Sequence, residues 1–221
     1  IAKLSDFVCI IKMIAYFMVT VLTASLFHWL IIYPLIYFVM TRRNAYRYYT
    51  GLTQAMMTSF ATASSAAALP ATMKCNIENN GVRETTASFV LPLGATINMD
   101  GTAIYYPIAI IFLAKISGQS LTFGDELVIA VVSSFISIGA APVPSAGLVY
   151  LLAITNSVGL EVTSSISLIL AIDWIMDRIQ VVVNICGDSL AASIIDLQLL
   201  EEEKKAKFGD ESHYPDEIQM E

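Results

Sequence analysis

Asp173, Asp177, Gln180, Asn184 and Asp188 follow one another at intervals of four, three, four and four residues. On a helix that spacing sets all five on one face. Trp174, Ile175, Met176, Val181, Val182, Val183 and Ile185 fill the other faces, and Arg178 stands beside the stripe. In a soluble protein such a stripe is the wet side of an amphipathic helix. In a membrane helix it marks a pathway or a binding site, because a buried carboxylate is costly without a partner. A second polar group interrupts another apolar stretch at Gly94, Thr96, Asn98, Asp100, Gly101 and Thr102. Unwinding there frees carbonyl oxygens, hard ligands that suit a small cation such as Na⁺, and Asp100 adds negative charge. A glycine-mediated helix crossing is the simpler alternative, but it leaves Asp100 without a purpose.

Composition decides between wet face and membrane site. Of the 221 residues 56% are hydrophobic and 14% charged, against about 25% charged in soluble domains. The chain therefore reads as a polytopic membrane protein. Its net charge of −7 is concentrated in the tail, where Glu201–Glu221 holds eight acids and three bases. The acidic balance describes a solvated tail and not an anion-repelling core. Cys9, Cys75 and Cys186 form neither a disulfide framework nor a metal spacing. No signal peptide is apparent, and the initial Ile1 suggests a missing N-terminus.

The elements that must position the polar groups follow in order. Residues 1–9 read as the end of a preceding helix or loop. Residues 10–41 form a transmembrane helix with room for a kink at Pro34. It ends in the basic cluster Arg42, Arg43 and Arg47, which marks the cytoplasmic side. His28, inside it, is read as a packed histidine in preference to a proton relay. Residues 45–79 hold two apolar arms of ~15 residues, each rising ~22 Å, too short for a ~30 Å bilayer core. Basic residues flank both ends, so this is a re-entrant hairpin with its tip at 62–70. A kinked ordinary span is the alternative. Residues 85–117 form a transmembrane helix broken at its middle. Residues 121–160 repeat the hairpin, entering from the opposite side, with a tip at 137–147. Residues 163–200 form the last transmembrane helix, and 201–221 an acidic cytoplasmic tail, expected to be disordered. A hairpin followed by a helix with a central Asn/Asp site thus occurs twice in inverted topology, a signature of secondary transporters. The fold class is an all-α polytopic membrane protein.

Four stretches carry a resemblance to a known family: SFATASSAAALPATMKCNIENNGV, FVLPLGATINMDGTAIYYPIAIIFLA, SIGAAPVPSAGLV and AIDWIMDRIQVVVNICGDSLAA. Together and in this order they resemble the dicarboxylate/amino acid:cation symporters, the glutamate transporters and neutral amino-acid exchangers. The resemblance implies a glutamate-transporter-like transport domain, matched from the family's sixth helix onward. It implies that Asp177 takes a substrate ammonium and Asn184 its α-carboxylate. Ser65 and Val143 would touch substrate from the hairpin tips, Thr102 from the side-chain end, and Gln180 and Val181 from the last helix. Gly94, Asn98, Asn184 and Asp188 would form one sodium site, and Thr96, Ser137, Ile138 and Ala140 a second. Asp100 and Asn98 would belong to a third, with Asp173 behind the middle of the site. The resemblance further implies co-transported Na⁺, a plasma-membrane location and a homotrimer built through N-terminal helices absent here. No nucleic-acid partner is expected.

Departures from the family pattern bear on substrate and coupling. Acidic carriers have arginine where Gln180 stands and threonine at Val181, which favours a neutral amino acid over glutamate or aspartate. Carriers coupled to protons and potassium have glutamate at Tyr106. Pro142 replaces a small residue in the outer tip and Ala66 a serine in the inner one. The competing functions are an anion channel or sensor on the same fold, and an inactive fragment or interaction module. No nucleophile–base pair or metal cluster points to an enzyme.

Overall fold

The computed structural model describes residues 2–140, 147–157, 159 and 166–211, and the regular structure among them is helical. The first rod comprises α1 (Ala2–Phe27), a π turn at His28–Ile32, and α2 (Tyr33–Thr41). Pro34 explains the irregularity. It has no N–H to offer the Leu30 carbonyl four residues back, and its ring crowds that carbonyl. The Tyr46 hydroxyl donates to this carbonyl instead, at 2.6 Å. The neighbouring Trp29 carbonyl takes the Tyr49 hydroxyl at 3.0 Å. The rod ends at Arg42, which is left-handed at φ 58°.

The first hairpin is built from α3 (Ala45–Gly51), α4 (Thr53–Thr62) and α5 (Ser65–Lys74), closing in a π turn at Cys75–Asn79. Asn44 caps α3 by accepting from the amides of Tyr46 and Arg47. At the tip Ala63 is left-handed at φ 49°, and Ser64 caps α5 by accepting from Ala67 N. A left-handed alanine costs about 1–2 kcal/mol, so packing at the tip must offset it. Next come α6 (Glu84–Ile97) and α7 (Asp100–Ile116), separated by Asn98 and Met99 alone. The break is narrower than the glycines predict.

The second hairpin begins with α8 (Phe123–Ile138), which opens on a capping box between Thr122 and Asp125. It returns as α9 (Gly147–Ser157). The inner part of its tip, with Pro142 and Val143, lies outside the described residues. Finally α10 runs unbroken from Ile166 to Glu211. Only the first helix of the inverted pair is broken; the second carries its Asn184–Asp188 site in regular helix. Disorder from Glu201 onward is also not what the structure has over Glu201–Glu211, which is helical.

The middle of α10 is the axis of the structure and is buried on every side from Gln180 to Leu190. One apolar cluster joins it to Tyr37, Leu52 and Leu91, and another joins Met176 to Phe17, Tyr105, Ile110 and Ile154. Gly101 permits a close crossing: a Cβ there would stand 2.5 Å from the Gln180 carbonyl oxygen, so α7 meets α10 backbone to backbone. Beyond the membrane segments, Arg83 clamps α10. Its Nε donates to Asp196 Oδ1 at 2.7 Å and its Nη1 to Glu203 Oε1 at 2.7 Å. Thr86 donates to the same Asp196 oxygen. The Asp196 and Glu203 hydrogen bonds hold the Arg83 guanidinium above its ordinary range. The outer surface is apolar, with Tyr16, Val19, Phe38, Val39, Phe89 and Phe135 all exposed. Two stretches, Val8–Thr41 and Glu84–Ile116, are long and apolar enough to cross a bilayer.

Candidate functional site

Two cavities flank the α6–α7 break on different faces of α10. The first, of about 30 Å³, is lined by Ser65 from the first hairpin tip and Thr102, Tyr105 and Tyr106 from α7. From α10 it takes Asp173, Asp177, Gln180, Val181 and Asn184. Six of the seven residues predicted to touch substrate therefore line one cavity; the seventh, Val143, lies outside the described residues. Ala140 from the second hairpin also reaches this cavity. Ser65 is 2% exposed, and its hydroxyl has no hydrogen-bond partner among the described residues. A buried hydroxyl left this way costs free energy that a polar ligand would recover.

The basic residue nearest the stripe stays out of the cavity. Arg178 donates through Nη1 to the Trp174 carbonyl and lies 5.4 Å from the Trp174 ring centre, an indole that is 56% exposed. Gln180, in contrast, is 4% exposed and faces the cavity. No lysine or arginine is among the described residues lining it.

The second cavity, of about 350 Å³, holds the carboxylates of Asp100 and Asp188. Gly94, Asn98, Asp100, Gly187 and Asp188 line it, together with Tyr33 and Tyr37. Asn98 Nδ2 donates to Asp188 Oδ1 at 3.0 Å. A Cβ on Gly94 would stand 2.5 Å from that same oxygen. Asn184 reaches toward the break as well: its Oδ1 accepts from Gly101 N at 2.7 Å, and its Nδ2 faces Met99 Sδ at 3.2 Å. Gly94, Asn98, Asn184 and Asp188 thus gather around the break. Gly94 and Gly101 remain helical and serve close approach, while Asn98 and Met99 supply the irregular backbone.

The remaining candidate cation ligands are more scattered. Thr96 is exposed, with its hydroxyl on the Leu93 carbonyl at 2.9 Å. Ser137 is buried and bonds the Ser134 carbonyl at 2.7 Å. Ile138 is exposed, and Ala140 lines the first cavity. No group of three His, Cys, Asp or Glu gathers among the described residues, so any cation here relies on amides, hydroxyls and carbonyls as well.

Sequence reasoning missed two tyrosines. Tyr105 donates to Asp173 Oδ1 at 2.8 Å, holding that carboxylate at the cavity wall. Tyr33 donates to Asp100 Oδ2 at 2.6 Å. Nothing local flags either one, since each is an aromatic in an apolar run. His28, read as a packed histidine, has its ring 4.5 Å from that of Tyr33 and Nε2 3.7 Å from Asp100 Oδ2.

An all-helical membrane protein with short hairpin arms, a broken helix and carboxylates held at the break is built as a transporter is built. The chain belongs to the sodium:dicarboxylate symporter family, whose profile matches residues 3–197. It is 48% identical over 195 residues to an excitatory amino acid transporter of Caenorhabditis elegans, covering 88% of this chain and 39% of that protein. To excitatory amino acid transporter 1 of Homo sapiens it is 45% identical over 196 residues, 89% of this chain and 36% of that protein. An excitatory amino acid transporter of Onchocerca volvulus is 47% identical over 195 residues, with 88% and 39% covered. The chain thus spans 36–39% of the length of these relatives. The family is, by its description, one of symporters.

Proposed function

We propose that this chain carries the substrate and cation sites of a sodium-coupled symporter or exchanger that moves an L-amino acid across the plasma membrane. The observation that carries the reading is the sharing of one break by both cavities. Asn184 lines the first cavity and bonds the break through Gly101; Asp188, one turn further, lines the second and bonds the break through Asn98. A cation drawn to Asp188 therefore acts, through the Asn98 side chain, on the break next to the Gly101 amide that orients Asn184. In this reading Asp177 takes the substrate ammonium and Asn184 its carboxylate, as charge-assisted and amide hydrogen bonds allow. A homotrimer formed through helices outside this chain and a cytoplasmic C-terminus belong to the same proposal. The test is uptake of a panel of amino acids by the full-length protein with and without a sodium gradient. Accumulation that ignores sodium, or binding without accumulation, would overturn it.

The relatives' names favour the excitatory, acidic amino acids as the substrate class, and they back that reading better than the neutral one reached from Gln180. The neutral reading keeps one specific observation: Gln180 faces the cavity while Arg178 is turned away.

Coupling follows from Tyr106, which is buried against the first cavity. A phenol, with an ordinary pKa of ~10, does not shuttle protons near neutral pH as a carboxylate does. Uptake is expected to proceed with sodium and without proton cotransport or potassium countertransport. Recording intracellular pH and varying internal K⁺ during uptake checks this. Acidification tracking substrate entry, or a requirement for internal K⁺, would refute it.

A further inference from the structure

Tyr33 is a buried phenol that the site described above does not yet use. The π turn sets its placement: Tyr33 N donates to the His28 carbonyl across that turn, and its ring packs edge-on against His28. The hydroxyl then passes between α10 and the break. It stands 2.4 Å from where a Cβ on Gly187 would be, so only glycine there leaves it room. At that point it donates to Asp100 Oδ2 at 2.6 Å, with the Val183 carbonyl oxygen 3.4 Å away.

We propose that the Tyr33 hydroxyl is a tethered placeholder at Asp100: its proton occupies the carboxylate oxygen until a cation displaces it. The proposal rests on the reading of Asp100 as a cation ligand. The O–H proton and a cation seek the same oxygen lone pairs, and a proton aimed at Oδ2 repels a cation approaching that atom. Rotation about the phenol C–O bond resolves the conflict. The proton turns from Asp100 toward the Val183 carbonyl, and Oδ2 is released. No bond to carbon forms or breaks, and the tyrosine stays protonated throughout. Beside His28, whose Nε2 stands 3.7 Å from the same oxygen, the hydroxyl stabilises the carboxylate when the site is empty, and cation affinity is set lower than Asp100 and His28 alone would give.

The test is Tyr33→Phe in the full-length protein, which keeps the ring and its packing and removes only the hydroxyl. The half-saturating sodium concentration for uptake is expected to fall about tenfold, because a hydrogen bond to a charged group that stabilised the empty site is lost. A purely structural role would lower the amount of active protein and leave that concentration unchanged. An unchanged value overturns the proposal. So does a rise, which would make the hydroxyl a cation ligand. If the unmodified protein shows no sodium dependence, the cation-site reading fails and the placeholder falls with it. Should Tyr33→Phe fail to reach the membrane, the sodium-minus-choline infrared difference spectrum of the unmodified protein decides. Sodium is expected to shift a phenol C–O stretch from hydrogen-bond donor to a weaker donor position; no phenol band in that spectrum refutes the exchange.

Discussion

Gln180→Arg is expected to raise affinity for aspartate and glutamate by two to four orders of magnitude and to depress uptake of alanine, serine and glutamine. Gln180 is buried on the cavity wall, one turn from Asp177. A glutamine offers an amide donor and an acceptor but no charge. A substrate carboxylate beside it is left without a counter-ion, which costs ~3–5 kcal/mol when buried. At ~1.4 kcal/mol per tenfold that loss gives the stated range. An arginine grips a carboxylate with two charge-assisted bonds and recovers it. Arg178 cannot substitute as it stands, since its guanidinium is committed to Trp174. Competition uptake with acidic and neutral amino acids measures the effect. If the unmodified protein already takes glutamate at micromolar concentration and the substitution changes nothing, Gln180 does not set the substrate. Attention then moves to Arg178 leaving Trp174.

Asp188→Asn should raise the half-saturating sodium concentration at least tenfold, about 1.4 kcal/mol or more, while the protein still reaches the membrane. The replacement keeps the shape of the side chain and an oxygen to accept from Asn98 Nδ2, so the 3.0 Å bond can persist. What disappears is the charge of a carboxylate that is 2% exposed and pressed against Gly94. Such a charge is expensive to bury at membrane depth, and a cation is the partner that repays it. Sodium titration of uptake alongside surface labelling separates the two effects. Retained sodium affinity in this variant would remove Asp188 from the cation site.

Much of this arrangement was legible in the residues. Polar side chains are rare in an apolar chain, so the Asp173–Asp188 stripe and the Asn98–Asp100 group announced themselves. Short apolar arms around the 62–70 tip, with basic residues at both ends, pointed to the first hairpin, and the second was read as its repeat. Other features depend on what the elements touch. Gly94 and Gly101 read as helix breakers, yet both stay helical because each is needed for a close approach to α10. The stretch after Glu201 read as disordered by its charge. Its Glu and Lys residues are also good helix formers, with Glu201–Lys205 and Glu203–Lys207 at the favourable four-residue spacing, and propensity prevailed. Tyr33 carries no local signal at all; only the π turn before Pro34 brings it to Asp100.

The unbroken course of α10 has a mechanical consequence. From Asp177 to Glu211 it extends ~51 Å at 1.5 Å per residue, well past the ~30 Å of a bilayer core. Arg83 grips it on the way, at Asp196 and Glu203. One continuous helix thereby joins the cavity residues to the turns at Glu211. In the proposed transporter the turns near Glu211 are therefore a handle on the pocket, and a weight or tether fastened there is expected to slow uptake without touching substrate.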